Sequence, residues 1–83
     1  MSGMFYKSKF NGDISSWDVS NVEFMDLMFA GSAFRGNISN WNVGKVRSMK
    51  QMFLDSYFNN DISKWNVRNV KDMTGMFYYS LFN

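Results

Sequence analysis

"FNGDISSWDVSNVEFMDLMF" spans residues 10–29, and near-copies of it begin at Phe34 and Phe58. Phe recurs at positions 10, 34, 58 and 82, which gives a 24-residue period. A repeat of this length predicts that the units stack and bury one continuous core, so we expect a single domain over the 83 residues. The register divides residues 1–83 into a partial unit, three full units and the start of another: 1–9, 10–33, 34–57, 58–81 and 82–83.

The first half of each unit has the spacing of a leucine-rich repeat. Ile14, Trp17, Val19 and Val22 stand at offsets 0, 3, 5 and 8, as in L-x-x-L-x-L-x-x-N. Trp17 and Val19 alternate with polar residues, which predicts a short, half-buried strand. Gly12 begins a column of Gly, Gly and Asn, which predicts a left-handed turn before each strand.

The second half of each unit has helical spacing. Val22, Met25, Met28 and Phe29 follow i, i+3, i+6 and i+7, which places them on one face of a short helix with Asn21 as its N-cap. We therefore predict an α/β repeat fold. It is a leucine-rich-repeat-like solenoid with one short parallel strand and one short helix per 24-residue unit, and its Trp, Met and Phe columns lie in the core.

The unit FNxDISxWxVxxVxxMxxMF resembles the BspA-like repeats of bacterial surface proteins, with their Mycoplasma-lipoprotein relatives (DUF285). FNGDISSWDVSNV and FNNDISKWNVRNV match this pattern most fully, and FRGNISNWNVGKV matches it more loosely. The resemblance covers nearly the whole chain. It implies a leucine-rich-repeat-like solenoid of the kind often carried by secreted or lipid-anchored proteins that bind host proteins or cells.

The composition argues against catalysis. The chain has no His and no Cys, which removes the commonest general base and the thiolate nucleophile. A Ser occurs at 15, 39 and 63, but no activating base is evident for it. We therefore expect no enzyme activity, no cofactor and no metal site. Asx turns are expected at the column two residues earlier: Asp13, Asn37 and Asp61.

The variable positions of the predicted strand face are the candidate contact surface for a protein partner. Invariance across the units marks the core, and variation marks the surface. The net charge runs from −4 in residues 10–33 to +3 in residues 34–57 and +1 in residues 58–81. This pattern is only weakly basic, so we do not expect nucleic acid as the partner. A solvated surface is the simpler alternative. The candidate residues are Ser16, Asp18, Ser20, Asn40, Asn42, Lys45, Lys64, Asn66 and Arg68.

The functional hypothesis is a non-enzymatic protein–protein interaction module that binds through the polar strand face or its edges. The alternatives are a self-assembling structural stack and a small phage-type intracellular inhibitor of a host protein. The ends, MSGMFY and MFYYSLFN, are apolar, so we expect homo-oligomers through the solenoid ends, or a longer parent chain.

No apolar run approaches the ~20 residues of a membrane span. No export signal is visible either, so as the chain stands we expect a cytoplasmic bacterial or phage protein. If the chain is part of a longer exported protein, the expected location is the cell surface.

Overall fold

The computed structural model describes residues 2–80, and these residues contain no helix. Their only strand-like pairing consists of two isolated parallel bridges, from Phe24 to Ser48 and from Ser48 to Asp72. The predicted leucine-rich-repeat-like fold with one strand and one helix per unit is therefore wrong, and the predicted helix N-cap is wrong with it. The first residue of the partial unit 1–9, the last residue of the unit 58–81 and the partial unit 82–83 lie outside the described residues.

Left-handed backbone at two positions per unit prevents the predicted helix. Leu27 has φ +58° and Gly31 has φ +64°, whereas an α-helix requires φ near −63° at every residue. Turns take its place. The Met28 N–H donates to the Met25 carbonyl at 3.3 Å, with Leu27 at the third position, as in a type II turn. The equivalent left-handed residues of the other units are Gly3, Lys7, Gln51, Asp55, Gly75 and Tyr79.

The backbone of this turn segment alternates between bonding within its unit and bonding to the next unit. N–H groups at every second residue donate to a carbonyl of the next unit along the chain, and the intervening N–H groups donate within the unit. The N–H groups of residues 27–32 are all satisfied in this way, as buried backbone requires. The bonds between the first two full units run from Met25 to Ser48, Leu27 to Lys50, Phe29 to Met52 and Gly31 to Leu54, at 2.7–2.9 Å.

The segment predicted as a strand also forms turns. The Trp17 N–H donates to the Ile14 carbonyl at 3.1 Å, and the Val22 N–H donates to the Val19 carbonyl at 3.0 Å. These bonds close two successive turns within the unit. The parallel pairing between units therefore lies where the helix was predicted, and not along this segment.

In the segment that was predicted as a strand, tryptophan side chains connect successive units. The indole Nε1 of Trp41 donates to the Ile14 carbonyl at 3.1 Å, and that of Trp65 donates to the Ile38 carbonyl at 3.0 Å. Trp41 and Trp65 are 4% and 8% exposed, which confirms their predicted core position. Trp17 is 36% exposed, so the prediction is wrong there. Each of these two indoles donates to an Ile carbonyl of the preceding unit. For Trp17, no described residue occupies the position of that Ile.

A column of stacked Phe rings runs along the stack, and its inner members Phe29 and Phe53 are fully buried, whereas Phe77 at the end is 36% exposed. Phe5, Phe29, Phe53 and Phe77 are nearly parallel, with centroids 5.6, 5.6 and 5.5 Å apart. Such aromatic pairs contribute about 0.5–1.5 kcal/mol each beyond their buried area. The predicted core residues of the first full unit that are buried are Ile14, Val19, Met25, Met28 and Phe29.

Ring packing, and not a left-handed turn, accounts for Gly12 and Gly36, the two glycines of the predicted turn column. Neither Gly12 nor Gly36 is among the residues with positive φ, so that prediction is wrong. A Cβ added at Gly36 would lie 2.8 Å from Cε1 of Phe34, and one at Gly12 would lie 2.7 Å from the Phe10 ring. Glycine therefore leaves room for the phenylalanine two residues earlier.

Replacing Trp41 with Ala is expected to lower the free energy of unfolding by about 3–5 kcal/mol, because a buried indole and its hydrogen bond are lost. Trp17→Ala is the matched control, since that indole is 36% exposed. We expect it to cost less than half as much. Urea denaturation followed by circular dichroism measures both variants, and equal losses would contradict the different burial of the two indoles.

Candidate functional site

A groove of about 650 Å³ crosses the three full units on one side of the stack. The Arg47 N–H donates to the Glu23 carbonyl at 2.6 Å, and the Lys71 N–H donates to the Arg47 carbonyl at 2.7 Å. These bonds hold three charged residues in line, one from each unit. We call this the charged groove, and its lining consists of two columns that recur once per unit: Asn21, Lys45 and Asn69, and Glu23, Arg47 and Lys71.

Polar contacts between units order the side chains of the charged groove. The Arg47 Nε lies 3.3 Å from the Glu23 Oε1, and both side chains are more than half exposed. An exposed pair of this kind contributes at most about 1 kcal/mol. The Lys45 Nζ donates to the Asn21 Oδ1 at 3.1 Å. These contacts orient the side chains more than they stabilise the fold.

The charged groove is basic, and its one carboxylate belongs to the first full unit. Lys45, Arg47 and Lys71 carry three positive charges against the single carboxylate of Glu23, a net +2. Arg47 shares its charge with Glu23, whereas Lys71 forms no ion pair with any residue in the described part of the chain. Lys45 of the second unit is bonded to the neutral Asn21, so both the second and the third unit keep one positive charge that no ion pair compensates. The arrangement is suited to binding carboxylate or phosphate groups.

Three of the predicted contact residues form turns. The Asp18 Oδ1 accepts hydrogen bonds from the Ser20 N–H at 3.0 Å and from the Ser20 hydroxyl at 2.6 Å. Asn42 accepts a bond from the Gly44 N–H at 3.0 Å in the same way. Asn66 accepts one from the Arg68 N–H at 3.2 Å. These side chains are exposed, but their polar groups already serve the local fold.

Of the nine predicted contact residues, Lys45 alone lines the charged groove. Ser20 is half-buried. The column that holds most of the charge, Glu23, Arg47 and Lys71, is not among the predicted contact residues, although the sequence contains a signal for it. Positions 23, 47 and 71 form the only column charged in all three full units. The remaining predicted contact residues are exposed and lie outside the groove lining: Ser16, Asn40, Lys64 and Arg68.

The family comparison confirms the resemblance seen in the repeat. A family model described as "Mycoplasma protein of unknown function, DUF285" matches residues 1–83. The chain belongs to the DUF285 family. Neither the comparison with curated proteins nor the comparison with solved structures found a match.

Two further properties of this DUF285 chain bear on its possible ligands. Within residues 2–80, no three His, Cys, Asp or Glu side chains are grouped so that they would hold a metal ion. The same residues include no helix with the length and hydrophobicity of a membrane span.

Asx turns at the start of each unit are confirmed. The Asp13 Oδ1 accepts bonds from the Ser15 hydroxyl at 2.7 Å and from its N–H at 2.9 Å, and these bonds lower the pKa of Asp13. The Ser20 hydroxyl and N–H lower the pKa of Asp18 in the same way. The pKa of Asp61 is lowered by the N–H and hydroxyl of Ser63.

Low pH is expected to destabilise this DUF285 chain through these carboxylates. Their pKa is lower in the folded state than the ordinary value of 3.8, so the unfolded state binds protons first as the pH falls. The stabilisation is therefore complete above that value and is lost as the pH falls through the lower pKa of the folded state.

The triple variant Asp13→Asn, Asp18→Asn, Asp61→Asn tests this origin. Asn keeps the turn, since Asn37 accepts the Ser39 N–H at 2.9 Å. Urea midpoints measured between roughly pH 5 and pH 2 are expected to fall less for the variant than for the unmodified chain. Parallel curves would rule out these three carboxylates as the source of the pH dependence.

Proposed function

We propose that this DUF285 chain is a non-enzymatic protein–protein interaction module whose charged groove receives an acidic segment of a protein partner. The observation that carries the proposal is the aligned column of Glu23, Arg47 and Lys71. The backbone of each residue is bonded to that of the next at 2.6 and 2.7 Å, while the side chains project into the groove.

The backbone alignment supports affinity for an extended segment. Cations placed on paired backbone do not have to be brought together when the partner arrives, so less conformational freedom is lost on binding. Alternate side chains of an extended peptide lie about 6.6 Å apart on one face. We infer that two acidic side chains on one face of such a peptide contact Arg47 and Lys71, with Arg47 well suited to a carboxylate.

The mixed charge of the groove favours a protein over nucleic acid. A phosphate backbone presents negative charge at every nucleotide, and the Glu23 carboxylate would repel it. An acidic peptide also carries N–H groups and occasional basic side chains, and the Glu23 carboxylate can accept hydrogen bonds from them. The groove therefore favours a partner with separated acidic groups.

A binding role is also consistent with the chemistry of the lining residues. The titratable lining groups are Lys45, Arg47, Lys71 and the ion-paired Glu23, and the chain has no His and no Cys. None of these groups is paired as a nucleophile with an activating base. The groove is thus equipped for electrostatic recognition.

A labelled peptide of alternating Glu and Gly provides a direct test by fluorescence anisotropy. The double variant Arg47→Glu, Lys71→Glu is expected to weaken its binding at least tenfold, or about 1.4 kcal/mol. The matched control is Lys64→Glu, Arg68→Glu, which makes the same change in net charge outside the groove lining. We expect this control to bind within about threefold of the unmodified chain.

Two outcomes would contradict the proposal. Equal weakening by both double variants would mean that the peptide responds to the overall charge and not to the groove. Tighter binding of a single-stranded DNA oligonucleotide than of the acidic peptide, with a steep dependence on salt, would identify nucleic acid as the better ligand.

A further inference from the structure

The last described unit carries backbone donors without acceptors. In the inner units, the left-handed Leu27 and Gly31 donate their N–H groups to the next unit at 2.9 and 2.7 Å. Gly75 and Tyr79 occupy the same positions and hold the same left-handed backbone, with φ +64° and +58°. Within residues 2–80, their N–H groups have no acceptor. The donors of the next contact are therefore already in the bonding conformation.

The first described unit carries the complementary acceptors. The carbonyls of Asp26 and Ala30 accept bonds from the preceding unit at 2.8 Å. Ser2 and Tyr6 occupy the equivalent positions one period earlier. Their carbonyls accept no bond from the described residues. The two ends of the stack thus present donors and acceptors with the same four-residue spacing.

The repeat register aligns these groups between copies of the chain. Each N–H that donates to the next unit bonds to the carbonyl just before its own equivalent there, so Gly75 and Tyr79 would bond to positions 98 and 102. Counted back through four periods of the repeat, these positions are equivalent to Ser2 and Tyr6. A second copy whose first residue takes position 97 continues this register.

The apolar side chains at the two ends reinforce this match. Met25 and Met49 are fully buried between units, whereas their equivalent Met73 is 42% exposed. Met28 is likewise fully buried, whereas its equivalent Met4 is 52% exposed. Ten large apolar side chains are exposed in the described chain, and eight of them lie within residues 4–17 or 73–79. The two ends therefore expose surface of the kind that inner units bury.

We propose that copies of this chain stack head to tail. The N–H groups of Gly75 and Tyr79 donate to the Ser2 and Tyr6 carbonyls of the next copy, as in the contacts between units within one chain. This interface is separate from the charged groove and does not depend on the groove's function. Since the two contacting surfaces differ, every copy has the same orientation, and the open stack can lengthen at either end.

Variants that place a charge on one end distinguish this arrangement from other forms of association. Met4→Glu alters the first end, and Met73→Glu alters the second. Tyr57→Glu is the control, since Tyr57 is 59% exposed and lies outside both ends. Sedimentation velocity measures the size of each species, and circular dichroism with Trp fluorescence verifies that each variant is folded.

The unmodified chain and Tyr57→Glu are expected to form dimers and longer stacks that grow over a roughly hundredfold rise in concentration. Each end variant alone is expected to sediment as a monomer of 9.7 kDa. A mixture of the two end variants retains one intact junction. It is therefore expected to form a species of twice that mass and nothing larger.

Three outcomes would overturn the proposal. The first is a monomeric unmodified chain at every concentration. The second is dimerisation of either end variant by itself, which would indicate a symmetric contact between like ends. The third is a mixture of the two end variants that remains monomeric.

Discussion

Hydrogen bonding by the backbone N–H groups of residues 25–32 both shapes each unit and holds successive units together. Alternate N–H groups close turns within the unit, and the others bond to the next unit at 2.7–2.9 Å. Leu27 and Gly31 are left-handed, and together with Met25 and Phe29 they direct their N–H groups along the stack. Strict repetition follows, since a bond to the matching carbonyl of the next unit requires every unit to keep its length.

The left-handed conformation costs free energy where the residue is not glycine. Lys7, Leu27, Gln51, Asp55 and Tyr79 all adopt it, at about 1–2 kcal/mol for each residue by the usual steric argument. The hydrogen bonds between units and the stacked Phe rings offset this cost. Compensation of this kind is collective, because one unit has neither a neighbour to bond to nor a ring to stack on.

The same alignment produces both surfaces of functional interest. Residues at one position in the period form a column, so the charges of Glu23, Arg47 and Lys71 line one groove. The ends of the stack display backbone donors on one side and acceptors on the other, beside apolar side chains that inner units bury. The proposed recognition along the side and the proposed association through the ends thus both depend on one bonding pattern.

The period, most of the core columns and the Asx turns could be predicted from the sequence alone, because these depend on which side chains recur and on local hydrogen bonding. The sequence did not determine the secondary structure. The spacing of Val22, Met25, Met28 and Phe29 fits a helix and a series of turns equally well. Glycine at 3, 31 and 75 was the available sign of left-handed backbone. The sign of φ, the groove and the unpaired backbone groups at the ends of the described chain could be seen only in the tertiary structure. They depend on which neighbouring unit supplies the acceptor for each N–H group.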